Sequence, residues 1–161
     1  MTISSKKPQG LLLLGFRLPI LFYRLRLGWL FGERFLLLTH TGRKSGIVHQ
    51  TVIEVVGHNA ATDAYYVVSG FGRKADWFLN IQKNPNVNVT VGSRSFEAEA
   101  SIVSDEEAAD LLQEYAVRHP LAFKELSRIL LGKSIQPMRE NLLEFVASMP
   151  MVSFLSTKNQ R

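Results

Sequence analysis

A chain of 161 residues with no cysteine can bury one sizeable core, is too short for two ordinary domains, and holds neither disulfides nor thiolate metal sites. The formal net charge is +5, and it is concentrated: Lys6, Lys7, Arg17, Arg24, Arg26, Arg34, Arg43 and Lys44 face only Glu33 up to that point, while acids and bases nearly balance afterwards. The basic residues favour anionic partners, but no recognisable module interleaves them with aromatics, so nucleic acid is not an expected partner.

The first stretch, residues 1–34, is an apolar and basic segment, and residues 35–161 form the main body of a single-domain chain. Its apolar run from Gly10 to Phe31 is broken by Arg17 and Pro19 and followed by Arg24 and Arg26. A spanning helix needs about 20 largely apolar residues, and no small-residue cleavage site marks a signal peptide. The chain is therefore expected in the cytoplasm. A helix from about Pro19 to Leu30 places arginines on one edge and large apolar side chains elsewhere. Such a helix either covers the body of the protein, lining a pocket or an oligomer interface, or lies on the inner face of the cell membrane with Tyr23 and Trp29 at headgroup level. The two readings are compatible.

Phe35 to Thr39 and Val48 to Val56 read as strands rich in β-branched and large apolar residues. Between them, Thr41-Gly42-Arg43-Lys44-Ser45-Gly46 combines two glycines, two cations and two hydroxyls. Glycine permits a tight bend and close ligand approach, and the cations and backbone N–H groups suit phosphate or carboxylate oxygens. Taken alone, such a turn is more often a solvated hairpin tip. Two features favour a ligand. His49, Gln50 and Thr51 are polar where a fully buried strand would carry Val or Ile. A second basic glycine loop, Ser69-Gly70-Phe71-Gly72-Arg73-Lys74, precedes a helix opening at Asp76-Trp77-Phe78-Leu79-Asn80, and a helix N-terminus attracts anions. Neither loop has the spacing of a dinucleotide fingerprint or a P-loop.

Downstream, residues 57–63 read as a turn leading into a strand from Ala64 to Ser69. Val87, Val89 and Val91 alternate with polar residues, as do Phe96, Ala98, Ala100 and Ile102, so this pair reads as a hairpin with Glu97 and Glu99 on a solvated face. Ser104 and Glu107 have capping-box spacing and start a helix that runs to about His119. Further helices are expected from Leu121 to Leu131, closed by Gly132, and from about Pro137 to Ala147, with Met151 to Ser156 as a last strand. His40, His49, His58 and His119 have no metal-ligand spacing, His40 reads as a satisfied residue of the strand body, and no nucleophile elbow accompanies the serines. No metal site is expected and no catalytic side chain identifies itself. That pattern suits an enzyme whose bound cofactor carries the reactive atom.

The paired motifs resemble those of the deazaflavin (F420)-dependent nitroreductase family, split β-barrel oxidoreductases. Thr-x-Thr-Gly-Arg-Lys-Ser-Gly matches at Thr39 to Gly46, Ser-Gly-x-Gly followed by Asp-Trp-aromatic-x-Asn matches at Ser69 to Asn80, and Asn84-Pro85-x-Val87 follows. The resemblance covers roughly Phe35 to Val103. It implies an α+β fold, an FMN-binding split-barrel-like body of mainly antiparallel strands with flanking helices. It also implies an enzyme that moves hydride from reduced coenzyme F420 to a nitro compound, quinone or activated enone. By the same resemblance, Arg43, Lys44 and Ser45 hold the cofactor's phosphate and acidic tail, and Gly46 permits close approach. His49, Gln50 and Thr51 line the path to the ring, Ser69, Gly70 and Phe71 contact the ring, and Asp76, Trp77 and Asn80 shape the adjoining loop. The chain departs from the family at His49, often arginine; at Phe71, often tryptophan or glycine; and at Arg73, often an acid. Alternatives are a split barrel that binds FMN or haem, or a non-catalytic membrane-associated carrier; exposed barrel edges make a homodimer compatible with either.

Overall fold

The computed structural model describes residues 20–160 apart from 22 and 26. Six strands close on themselves: β1 (Phe35–Thr41), β2 (Val48–Asn59), β3 (Ala64–Val68), β4 (Asn86–Val91), β5 (Arg94–Ile102) and β6 (Met151–Ser156). Strands β4 and β5 alternate buried and exposed residues, whereas β1, β3 and β6 are more continuously apolar and are covered on both faces. All neighbours are antiparallel, in the closed order β1-β2-β3-β6-β5-β4, with β4 returning to β1. The last strand thus fills the gap between β3 and β5, as its apolar residues require. The order is that of a split β-barrel.

Leu36 and Leu38, Tyr65 and Val67, Val89, Phe96 and Phe154 fill the barrel. One end is plugged by helix α1 (Asp76–Lys83), which sends Phe78 and Ile81 into the same core. Helices α2 (Asp105–Arg118), α3 (Pro120–Leu131) and α4 (Arg139–Ser148) form a second core outside the barrel, with Leu112, Leu142 and Phe145 against Val56, Val68 and Met151. Ser104 caps α2 by accepting the Glu107 N–H, Pro120 sits in the first turn of α3, and Gly132 ends α3 in the left-handed region at φ 74°. Glu97 and Glu99 are on the solvated face of β5, as their alternation implies.

Two expectations change. The turn expected over residues 57–63 is shorter, because β2 continues to Asn59 and the bend is left to residues 60–63. The pairing slips between Val55 and Gly57, so Val56 is an extra residue in a bulge, and the Asn59 side chain accepts the N–H groups of Ala61 and Thr62. The Pro19–Leu30 helix is also not continuous: Gly28–Phe31 form a separate 3-10 turn that ends at Gly32, whose φ is 56°. Gly28 is forced there by packing, since a Cβ would lie 2.6 Å from the Gly92 carbonyl oxygen and 2.7 Å from the Tyr23 ring. Tyr23 donates its hydroxyl to the Phe35 carbonyl at 2.8 Å, and burial pushes that phenol up to about 12. The part of the expected segment before residue 20 lies outside the described residues.

Candidate functional site

The loop from Gly42 to Ile47 joins β1 to β2 at the barrel end that α1 plugs. Gly42 donates to the Ile47 carbonyl at 2.8 Å and Gly46 to the Gly42 carbonyl at 3.0 Å, with Gly46 at φ 69°. A side chain on Gly42 is excluded, because its Cβ would fall 2.6 Å from Ser45 Oγ and 3.1 Å from His49 Nε2. Lys44, Ser45 and Gly46 form the exposed tip. The backbone N–H groups of Lys44 and Ser45 have no protein acceptor among the described residues. A lysine beside two open N–H groups is an anion-binding arrangement.

Arg43 is turned away from that tip. Its backbone N–H and its Nη1 both donate to Asn80 Oδ1, at 3.1 and 2.9 Å, and its guanidinium also reaches the Asp76 carboxylate at 3.4 Å. Lys83 adds a bond from Nζ to the Arg43 carbonyl at 2.9 Å. With Asn80 Oδ1 committed to Arg43, its amide nitrogen donates to His40 Nδ1 at 3.1 Å, which places the imidazole proton on Nε2. His40 is buried and stacks on His49 with ring centroids 5.8 Å apart. Burial, reinforced by repulsion from His49 and opposed by the Asp76 charge, pushes His40 down to about 4. The expectation that His40 is a satisfied residue of the strand body holds.

The expected site residues separate into groups. Arg43, Lys44, Ser45, Gly46, His49, Asp76 and Asn80 gather at the plugged end. Trp77 is half-buried there, edge-on to Phe78 at 6.0 Å. Gln50 stands apart from His49 and Thr51, because strand neighbours point to opposite faces. It lies on the outer face, donating to Thr39 Oγ1 at 3.3 Å and accepting from Arg24 Nε at 3.1 Å. Ser69 is buried, with its hydroxyl donated to the Gly72 carbonyl at 2.7 Å. Gly70 presses on α3, where a Cβ would meet Leu130 Cδ2 at 2.7 Å, and Phe71 is exposed.

A groove of about 860 Å³ opens elsewhere, over the outer face of β2 from Glu54 to Asn59 and against α2 and the start of α3. At its floor Tyr115 donates its hydroxyl to Glu54 Oε1 at 2.9 Å, and Arg34 Nε lies 3.7 Å from the same oxygen. Burial and the adjacent Glu54 carboxylate hold the Tyr115 phenol well above its ordinary range. Sequence reasoning missed this place. Its one local signal is the carboxylate of Glu54 inside the apolar run Val52-Ile53-Glu54-Val55-Val56.

A closed antiparallel barrel plugged by a helix, with a cationic turn leading into β2 and a ligand-sized groove over its far half, is a split β-barrel with room for a ligand. Among solved structures, an F420-H2 dependent reductase (FDR-A) is similar, with TM-score 0.51 and 20% identity over 76% of this chain and 95% of that one. A domain-swapped dimer is similar with TM-score 0.51 and 20% identity over 76% and 81%. HutZ, the haem storage protein of Vibrio cholerae, is similar with TM-score 0.53 and 13% identity over 83% and 88%. At these identities the likeness bears on the fold alone. Comparison with curated proteins gives no match. The family model for F420H2-dependent quinone reductases matches residues 25–125, well over half of the chain, and the chain belongs to that family. It is an oxidoreductase, and its cofactor is coenzyme F420.

The depressed basicity of His40 gives a pH signature. The fold resists protonation of a group that the unfolded chain protonates near 6.5, so the contribution is complete above that pH and is lost as pH falls through about 4. The gap corresponds to roughly 3 kcal/mol. A proton NMR titration should find the His40 ring neutral from pH 8 to about 5, and a midpoint near 6.5 would contradict the buried Asn80 contact. Asn80→Ala, which strips both His40 and Arg43 of a partner, should lower stability in urea by roughly 2–3 kcal/mol.

Proposed function

We propose that the chain reduces an uncharged electrophile, a quinone, nitro compound or activated enone, with the cofactor's anionic tail on the turn and the ring-bearing ligands in the groove. The observation that carries this reading is that the exposed Lys44–Gly46 tip leads directly into β2, the strand whose far half floors the groove. Glu54 stands eight positions beyond Gly46, roughly 26 Å at about 3.3 Å per residue, so a ligand that engages both ends lies extended along β2. Reduced F420 supplies a hydride when bound.

The residues around it have separable tasks. Lys44 offers a mobile ammonium, and the Lys44 and Ser45 N–H groups offer fixed donors to phosphate or carboxylate oxygens. Arg43 supports the turn through Asn80 and Asp76, and its charge adds to the field at the tip. Ser69 holds its own loop rather than a ligand, because its hydroxyl is engaged with Gly72. Tyr115 keeps its proton on Glu54, so the proton that accompanies the hydride is drawn from solvent in this reading.

The segment before β1 contributes in two ways. Arg24 and Tyr23 clamp it over the outer face of β1 and β2, beside the route from turn to groove. Leu21, Leu25, Trp29 and Leu30 remain exposed. A cytoplasmic protein that sits peripherally on an anionic membrane uses such a surface, and the basic composition of the N-terminal sequence favours anionic headgroups. Pairing of two copies would cover the same surface.

Fluorescence titration of the full chain with oxidised F420 tests the assignment of the tail. Lys44→Ala should weaken binding about tenfold, roughly 1.4 kcal/mol, and the difference should shrink at high salt. Equal affinity for FMN, or no effect of Lys44, would contradict the reading. Sedimentation with vesicles separates the two uses of the apolar surface. Binding to phosphatidylserine vesicles that is lost in the Leu25→Glu/Trp29→Glu double variant supports the membrane role, and a concentration-dependent dimer with no vesicle binding contradicts it.

A further inference from the structure

Nothing in the reaction described above uses the Glu54–Tyr115 pair. Tyr115 is 6% exposed and reaches from α2 across the second core to β2. The Glu54 side chain keeps 22% of its surface and lines the groove. Its Oε1 receives the Tyr115 hydroxyl and faces Arg34, whereas Oε2 receives no hydrogen bond among the described residues. A carboxylate only accepts. The Tyr115 bond engages one oxygen of a groove-lining carboxylate and leaves the other able to accept.

The surroundings sharpen the selectivity. Val56, Leu111 and Ala122 supply apolar wall, and Tyr66 adds an aromatic side chain. Three carboxylates, Glu33, Glu54 and Glu114, stand against two guanidinium groups, Arg34 and Arg118. Arg34, Arg118 and Glu114 are 65%, 73% and 66% exposed in their side chains and Glu33 is exposed too, so water screens all four, and Glu54 at 22% is the most shielded charge of the groove. Arg118 lies 4.0 Å from Glu114 at the rim. The groove therefore discourages an anionic ring and favours a neutral one with a donor, the opposite of the preference at the Lys44 tip.

We propose that Glu54, aligned by Tyr115, is the specificity-determining acceptor of this groove, and that it selects an uncharged ring bearing an N–H or O–H group. The inference rests on the reading that the groove takes ring-bearing ligands. Two sources present such a donor, the edge of the deazaflavin ring and the electrophile itself. Tyr115 is a positioning residue, acting through Glu54.

Glu54→Gln tests this with little change of shape. The Gln oxygen still accepts the Tyr115 hydroxyl, so its NH2 group takes the place of Oε2 and the groove presents a donor where it had an acceptor. The probes are oxidised F420, 2-amino-1,4-naphthoquinone and 2-methoxy-1,4-naphthoquinone, titrated against the full chain by calorimetry. If the electrophile supplies the donor, the wild-type chain prefers the amino over the methoxy probe by about tenfold, and Glu54→Gln erases or reverses that preference. If the cofactor ring supplies it, Glu54→Gln weakens F420 about tenfold and leaves the probe ratio unchanged. Tyr115→Phe should blur whichever discrimination is found without reversing it. A Glu54→Gln chain that matches wild type with all three probes overturns the proposal and reduces the pair to a strut between α2 and β2. If F420 affinity still depends on Lys44 in that chain, the functional reading survives. If it does not, that reading fails separately.

Discussion

The site depends on the side-chain amide of Asn80. Its oxygen takes two N–H groups from Arg43 and its nitrogen donates to His40, so one residue on α1 ties the β1–β2 turn to the barrel end. Because the amide has a donor side and an acceptor side, the Arg43 contacts decide how it faces His40, and they thereby decide the imidazole tautomer. Burial makes this arrangement firm, since each group would leave an unsatisfied partner if it moved. Lys44 and Ser45 can then be presented on a rigid base at an exposed tip, which is what an anion site needs.

The barrel was largely legible because it follows local rules. Alternation in β4 and β5 set their buried face, and Ser104, Pro120 and Gly132 marked helix ends through capping chemistry. The boundary of β2 was less legible. A glycine next to His58 and Asn59 looks like a turn, yet a bulge at Val56 keeps the strand going, and only the partner strand shows that. The broken helix before β1 has a tertiary cause too, the contact of Gly28 with Gly92 and Tyr23.

The candidate site was legible as a set of residue types and less so as a geometry. The Gly-Arg-Lys-Ser-Gly turn and the Asp76–Asn80 helix start stand out by residue type and spacing, but which cation is held by the fold and which stays exposed depends on Asn80, thirty-seven residues from Arg43. Grouping His49, Gln50 and Thr51 as one lining ignored strand alternation, and the hydrogen bonds place Gln50 on the outer face. Glu54 and Tyr115 are sixty-one residues apart, and no periodicity links them. Their pairing comes from the packing of α2 on the bulged half of β2. The two ends of that strand end up chemically opposite, a cationic tip and a groove with a carboxylate floor.

A crystal structure of the full chain with oxidised F420 tests most directly whether β2 carries both ends of the ligand. The account predicts tail phosphate or carboxylate oxygens on Lys44 and Ser45 and the deazaflavin ring over the outer face of β2 toward Glu54. A ring lodged elsewhere, with the Lys44 tip bare, would contradict it.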